Sequence, residues 1–289
     1  DKEHNSNLIP WQILREKIGI VHKIVLSTPD GLLDMETYQK YLQEGAALVS
    51  MVYTSNLDGV SIPAEDVVRA AHKVGVKVML DGAQAVPHKK INVSQLDVDF
   101  LAFSGHKMLG PSGTGVLYGK HHLLEKLEPF LVGGDTVESS TYDTHTFLPV
   151  PEKFEAGLQD YAGIIGLAEA AQYVTRIGFD IIEKREKEIN AYVTTELIKN
   201  PRIKILGPLD SSMRGGIISF TVEGADVHQV ALMLDSSSNI MVRSGQHCVH
   251  SWFNAHNIKG SVRASFYFYN TLEEAEYFIK SLDKVLRVM

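Results

Sequence analysis

Two short polar runs carry the reactive side chains of the first half of the chain. Asp81-Gly82-Ala83-Gln84 follows the apolar run Val76–Leu80, and Ser104-Gly105-His106-Lys107 follows Phe100–Phe103. In open parallel sheets, ligands sit beyond the carboxyl ends of the strands, so Asp81 and Lys107 are expected to face one crevice. A carboxylate and an amine placed in this way suit pyridoxal 5'-phosphate. A lysine amine condenses with its aldehyde, and a carboxylate keeps its pyridine nitrogen protonated, so the ring takes up electrons from a substrate carbanion. The same lysine can shuttle protons. Gln84 is expected to donate on the ring-hydroxyl side, and Ser104 and His106 to contact the phosphate. Taken singly, each run has a plainer reading: Asp-Gly at a strand end is commonly a turn, and Gly-His-Lys a surface loop. Their occurrence on consecutive strands favours the cofactor site.

The only cysteine, Cys248, lies in Arg243-Ser244-Gly245-Gln246-His247-Cys248-Val249-His250. A free cysteine is more often a small buried hydrophobe, but these polar, glycine-containing surroundings argue against burial. Two histidines and an arginine nearby favour the thiolate, the nucleophilic form. His247, Cys248 and His250 are also possible metal ligands, but no second ligand pair stands nearby in sequence, so metal is the lesser option and none is expected. Arg263 interrupts an apolar strand pattern; such an arginine either snorkels or holds an anion, and its planar fork suits a carboxylate. His4, ahead of an apolar helix start, reads by itself as a surface residue near a helix cap. Gly110-Pro111-Ser112-Gly113-Thr114-Gly115 lacks the Gly-Lys-Ser/Thr ending of a phosphate loop and leads into a strand, so it reads as a turn.

The elements that must position these residues alternate in the first half. Val21–Leu26, Ala47–Tyr53, Val76–Leu80, Phe100–Phe103 and Thr114–Tyr118 read as strands, with Ala47–Tyr53 buried, and Asp34–Glu44 and Ala64–Val74 as helices. This pattern predicts an α/β fold with a mostly parallel central sheet flanked by helices. Tyr161–Arg176 and Ile181–Lys199 read as long helices. Beyond them, Ile203–Ile205, Gly216–Val222, Ile240–Arg243 and Ser261–Phe266 read as strands, and Thr271–Leu286 as a closing helix capped at Asn270 or Thr271. The expectation is a large cofactor-binding domain over residues 1–172 and a smaller C-terminal α+β domain over 173–289. Gly133–Phe154 is polar and without periodicity, a loop that could reach a partner subunit or an active site.

The 289 residues are 44% hydrophobic and 22% charged, as in ordinary globular proteins, with a formal net charge of -7. An acidic chain without a basic block is a poor nucleic-acid binder, no run reaches the length of a membrane span, and no signal peptide is visible. One cysteine permits no internal disulfide, which fits a reducing, cytoplasmic setting.

Taken together, these motifs resemble the class V, fold-type I pyridoxal-phosphate enzymes, and within them the SufS-like cysteine desulfurases and selenocysteine lyases. The marks are Glu3-His4 before Asn7-Leu8-Ile9-Pro10-Trp11, Ser55-Asn56, Asp81-Gly82-Ala83-Gln84-Ala85, Ser104-Gly105-His106-Lys107, Phe154-Glu155-Ala156-Gly157, Arg243-Ser244-Gly245 with His247-Cys248, and Arg263-Ala264-Ser265 with Tyr269-Asn270-Thr271. The resemblance implies Lys107 as the Schiff-base lysine, Asp81 on the pyridine nitrogen, and His4 stacked on the ring and moving protons. It implies Asn56 and Gln84 around the ring hydroxyl, Asn56 also near substrate, and Ser104 and His106 on the phosphate. It implies Arg263 on the substrate carboxylate with Arg243 beside it, and Cys248 as the sulfur acceptor. The products would be a persulfide and L-alanine from L-cysteine, in a homodimer that hands sulfur to an acceptor protein for iron-sulfur cluster or other sulfur-transfer pathways.

Three departures from the family pattern are visible. The family's upstream portion, with its Gly-Thr-Thr-like phosphate segment, is expected to be missing. Leu158 replaces a threonine that reaches a neighbouring subunit's phosphate. Gln246 replaces a histidine of the cysteine loop. L-selenocysteine as substrate, another aminotransferase or lyase reaction, and an incomplete cofactor-free form stand as alternatives.

Overall fold

The structure, a computed structural model, describes residues 1–289. Helix α1 (Asn5–Ile18) starts where His4 Nδ1 accepts from the Ser6 amide at 3.1 Å and stops at Gly19, whose φ of 71° suits a residue without Cβ. Helix α2 (Met35–Gln43) is capped by Asp34. There follow β1 (Leu48–Val52), α3 (Ala64–Lys73), β2 (Lys77–Asp81), the short α4 (Val93–Leu96), β3 (Phe100–Ser104), the 3-10 turn Gly105–Met108 and β4 (Gly115–Gly119). They form a sheet of order β1-β2-β3-β4. The β1–β2 and β2–β3 pairs are parallel and β3–β4 is antiparallel. Val67, Val68 and Ala71 of α3 pack on Val78 and Leu80 of β2, burial that stabilises by about 2 kcal/mol per large side chain.

Beyond α5 (His121–Leu124) comes a hairpin of β5 (Val137–Ser140) and β6 (His145–Phe147), then α6 (Tyr161–Ile177) and α7 (Phe179–Leu197). The chain continues through β7 (Ile203–Ile205), β8 (Ile217–Val222), α8 (Val227–Ser238), β9 (Arg243–Gly245), α9 (His250–Ala255) and β10 (Ser261–Ser265) to α10 (Leu272–Val288). A capping box of Thr271 and Glu274 starts α10. The second sheet has order β7-β8-β10-β9 and is antiparallel throughout. Ile189 and Val193 of α7, Phe220 of β8 and Phe278 and Leu282 of α10 meet in its core.

The structure corrects four expectations. Residues 21–26 form no strand, because backbone of strand type still needs a neighbour within hydrogen-bond reach. Instead residues 21–25 and 46–52 line one groove of about 800 Å3. Ala47–Tyr53 is an edge strand rather than a wholly buried one, with Leu48 39% exposed. The run Ile240–Arg243 enters the sheet only at Arg243, and its strand extends to Gly245. Gly133–Phe154 is not irregular throughout, since it folds into the β5–β6 hairpin with the exposed Tyr142 between its strands.

The two sheets are joined through residues 54–60, the segment that leaves β1. The Gly215 amide donates to Gly59 O at 3.0 Å, and Ser219 Oγ donates to Leu57 O. Tyr267 Oη donates to Pro87 O at 2.6 Å. The carboxyl ends of β2 and β3 thereby face the β9–β10 edge of the second sheet.

Candidate active site

Lys107 sits in the 3-10 turn that continues β3, and Asp81 ends the neighbouring strand β2. The turn is tight: a Cβ on Gly105 would lie 2.1 Å from Thr114 Oγ1. Asp81 Oδ1 accepts from the Ala83 amide at 2.9 Å. Burial holds the Lys107 amine below its ordinary pKa; the Asp81 charge opposes this, Arg263 and Arg243 reinforce it, and Cys248 opposes it. One amine thus feels charges from β2, β9, β10 and the loop after β9, so Asp81, Arg243, Arg263 and Cys248 all lie near Lys107. His4 lies near it as well. Burial lowers its pKa, Lys107 lowers it further, Asp81 raises it, and Arg243 and Arg263 lower it. Because Nδ1 accepts from Ser6, the neutral ring carries its proton on Nε2.

Cys248 is presented by an unusual backbone. His247 and Cys248 have φ of 50° and 62°, consecutive left-handed residues neither of which is glycine. The thiol is half-buried, and Arg243 Nη2 lies 3.2 Å from Sγ. Of the flanking histidines, His247 does not act as the sequence suggests. His247 is buried, its Nε2 2.8 Å from Ser261 Oγ, and burial together with Arg263 and Arg243 lowers its pKa to about 3. It is therefore neutral and brings no charge to the thiol. His250 Nδ1 meets Asn5 Nδ2 at 2.9 Å. The cation beside Cys248 is Arg243. No group of three or more His, Cys, Asp or Glu side chains is placed to hold a metal ion.

Arg263 and Arg243 are directly opposed residues of the antiparallel β10–β9 pair. Burial, aided by the Arg243 charge and opposed by Cys248, brings Arg263 down to about 10. Its Nη1 donates to Asn56 O at 2.8 Å, while its buried Nε has no partner. Asn56 Nδ2 donates to His247 O at 2.7 Å, and Oδ1 is buried and unpartnered. Asn56 thus ties Arg263 to the cysteine loop, a linking role that local sequence does not reveal because its partners are remote in the chain. Gln84 borders a small polar cavity with Thr54, His88, Lys89 and Glu186. Ser104 is half-buried at the end of β3, and His106 is exposed. Leu158 is 85% exposed.

This donor set fits the pyridine-aldehyde part of pyridoxal phosphate. A desolvated amine and a carboxylate stand at the carboxyl ends of adjacent parallel strands, a neutral imidazole joins them, and buried polar atoms of Arg263 and Asn56 lack partners. The profile of the class-V aminotransferases matches residues 1–278. The chain belongs to that family. Relatives of this class-V chain include a probable cysteine desulfurase of Xylella fastidiosa (strain Temecula1), 38% identical over 287 residues, covering 99% of this chain and 68% of the relative. One of Streptomyces coelicolor is 39% identical over 285 residues, with coverage of 99% and 68%. Among solved structures, the apo cysteine desulfurase of Thermococcus onnurineus superposes with a TM-score of 0.95 at 38% identity, covering 99% of this chain and 71% of that one. The Escherichia coli cysteine desulfurase CsdA, in an S-sulfonic acid form, gives 0.94 at 30% identity, covering all of this chain and 71% of that one.

Proposed function

We propose that this class-V chain is a pyridoxal-phosphate-dependent cysteine desulfurase that converts L-cysteine to L-alanine and takes the sulfur onto Cys248. The observation that carries the reading is Cys248 itself: a half-buried thiol on two left-handed residues, 3.2 Å from a guanidinium and close enough for its charge to act on Lys107.

When bound, the cofactor supplies an electron sink that makes the substrate Cα–H acidic. Asp81 would hold the pyridine nitrogen, His4 would lie on the ring, Asn56 and Gln84 would approach the ring hydroxyl, and Ser104 and His106 the phosphate. Lys107, whose amine is held low, would take the Cα proton and return it. Arg263 would grip the substrate carboxylate through its free Nε, and Asn56 would keep that arginine in register with the cysteine loop. The Cys248 thiolate would attack the substrate sulfur. The new Sγ–S bond forms as the substrate C–S bond breaks, Cβ gains a proton, and alanine leaves with a persulfide on Cys248. No external oxidant is needed.

The same reading includes transfer of the persulfide sulfur to an acceptor protein in iron-sulfur cluster or related pathways, and a cytoplasmic site of action. It also includes a homodimer, for which the exposed Phe130, Leu131, Val132 and Ile165 offer apolar surface. No helix is long and apolar enough to cross a membrane. The reading divides the chain at 172/173, within α6, and each of the two sheets has its own core.

The test is turnover of L-cysteine by the protein with pyridoxal phosphate, followed as alanine and as sulfide after reduction, with L-selenocysteine in parallel. Cys248→Ser should lose at least about 100-fold in cysteine turnover. Unchanged turnover in that variant without added thiol would remove the assigned role.

A further inference from the structure

Glu3 holds a position that the reaction as described leaves unused. Its Oε1 accepts from the Val52 amide at 2.6 Å and its Oε2 from Asn7 Nδ2 at 2.7 Å. Asn7 Oδ1 in turn accepts from Ser50 Oγ at 2.7 Å. One carboxylate therefore joins the first turn of α1 to the last residues of β1. Val52 is the register partner of Asp81 across the β1–β2 pair. The brace thus begins beside the carboxylate at the pyridine end of the cleft and ends one residue before His4.

We propose that Glu3 is a positioning residue of the site, fixing the first turn of α1 against the end of β1 and so setting where His4 stands relative to Asp81 and Lys107. This rests on the reading of His4 as a cofactor-contacting residue. The chain entering α1 is also held on either side of this point: Lys2 pairs with the buried Asp58, the cap is the His4 ring itself, and the Asn5 amide donates to Cys248 O at 2.8 Å; of these, none reaches β1 beside Asp81. Without Glu3, His4 would keep its tie to the cysteine loop, and α1 would be held to the sheet that carries Asp81 and Lys107 by Asn7 on Ser50, three residues beyond His4, rather than by the residue beside it.

The charge state of Glu3 agrees with this placement. Burial raises its pKa to about 7, against the Val52 amide, Asn7 and the amino terminus, which lower it; Asp81 adds to the rise. Near neutral pH the brace exchanges a proton, and in its neutral form it leaves Asp81 without a like-charged neighbour.

The test needs no turnover. In ¹⁵N-histidine-labelled protein without added cofactor, His4 should titrate below the ordinary histidine range in the unaltered chain. In Glu3→Ala its midpoint should rise by roughly half a pH unit or more as the ring gains solvent. Glu3→Gln keeps an acceptor for Val52 and, after the Asn7 amide turns over, a donor for Asn7, so its His4 should titrate as in the unaltered chain. In uniformly ¹⁵N-labelled protein the Val52 amide should sense a titration near pH 7 only when Glu3 is present. If Glu3→Ala does not fold, Glu3→Asp, one methylene short of Val52, serves the same comparison. A His4 midpoint unmoved in Glu3→Ala or Glu3→Asp overturns the proposal, and so does a Glu3→Gln variant as displaced as Glu3→Ala. Loss of desulfurase turnover in the unaltered protein would sink the proposed function and leave this comparison intact.

Discussion

Arg243 and Arg263 face each other directly across the β9–β10 pair, and Arg243 also touches the Cys248 thiol at 3.2 Å. Like charges directly opposed on adjacent strands are destabilising unless an anion lies between or beside them. A substrate carboxylate on Arg263 and a thiolate on Arg243 relieve that repulsion together. Arg263→Gln should therefore weaken cysteine binding by about 2 kcal/mol, roughly a 30-fold rise in KM, with a smaller effect on kcat. Steady-state kinetics over a range of L-cysteine checks this. Arg243→Gln should instead fall mainly on kcat, since its partner is the attacking sulfur.

The Lys107 amine offers a pH test whose sign is fixed by its neighbours. Burial and the two arginines favour its neutral form, and Asp81 favours the charged form. Its apparent midpoint for adduct formation with pyridoxal phosphate, followed by absorbance against pH, should lie below the 10.5 of an ordinary lysine. Asp81→Asn removes the negative charge that holds the proton on, so the midpoint should fall further. Arg263→Gln should raise it. Lys107→Ala should give no adduct at any pH.

The pairing of Asp81 with Lys107 was legible in the sequence because parallel strands deliver their carboxyl ends to one edge, so two polar runs after two apolar runs suffice to bring them together. The opposition of Arg243 and Arg263 was not. It depends on an antiparallel register between strands separated by α9, and the local pattern even set the β9 strand too early. His247 misled for a related reason: beside a cysteine it reads as a cation, but Ser261 on β10 and the arginines around it hold the ring buried and neutral. Val21–Leu26 has the composition of a strand, yet pairing is a property of two segments, and composition describes only one. Glu3 drew notice only as part of a motif, since its partners Val52 and Asn7 carry no signal of their own.

His247 should also shape stability against acid. Its pKa falls from 6.5 to about 3 on folding, so the unfolded chain binds the extra proton between those values. Unfolding is then favoured as pH drops below 6.5, by ~2 kcal/mol at pH 5 from this group alone. Glu3 has the opposite sign, because its folded pKa of about 7 exceeds the ordinary 4.5, and its contribution is lost as pH rises from 4.5 through 7. Urea unfolding of the unaltered chain, His247→Asn and Glu3→Gln at pH 5 and 7 separates the two. His247→Asn should lose less stability on acidification than the unaltered chain, and Glu3→Gln should lose more.

The backbone at the thiol predicts a difference between two variants that both lack sulfur. Cys248 has φ of 62° immediately after His247 at 50°. A residue with Cβ bears about 1 kcal/mol of strain in that region, and glycine bears almost none. Cys248→Gly should therefore be at least as stable as Cys248→Ala, although glycine usually costs stability through the entropy of the unfolded chain. Elsewhere in the chain, at a residue with ordinary negative φ, the same comparison should favour alanine. Denaturant midpoints decide it. A clear advantage for alanine at position 248 would mean that the left-handed turn relaxes once the thiol is gone, so that the Arg243 contact, rather than the surrounding fold, maintains it.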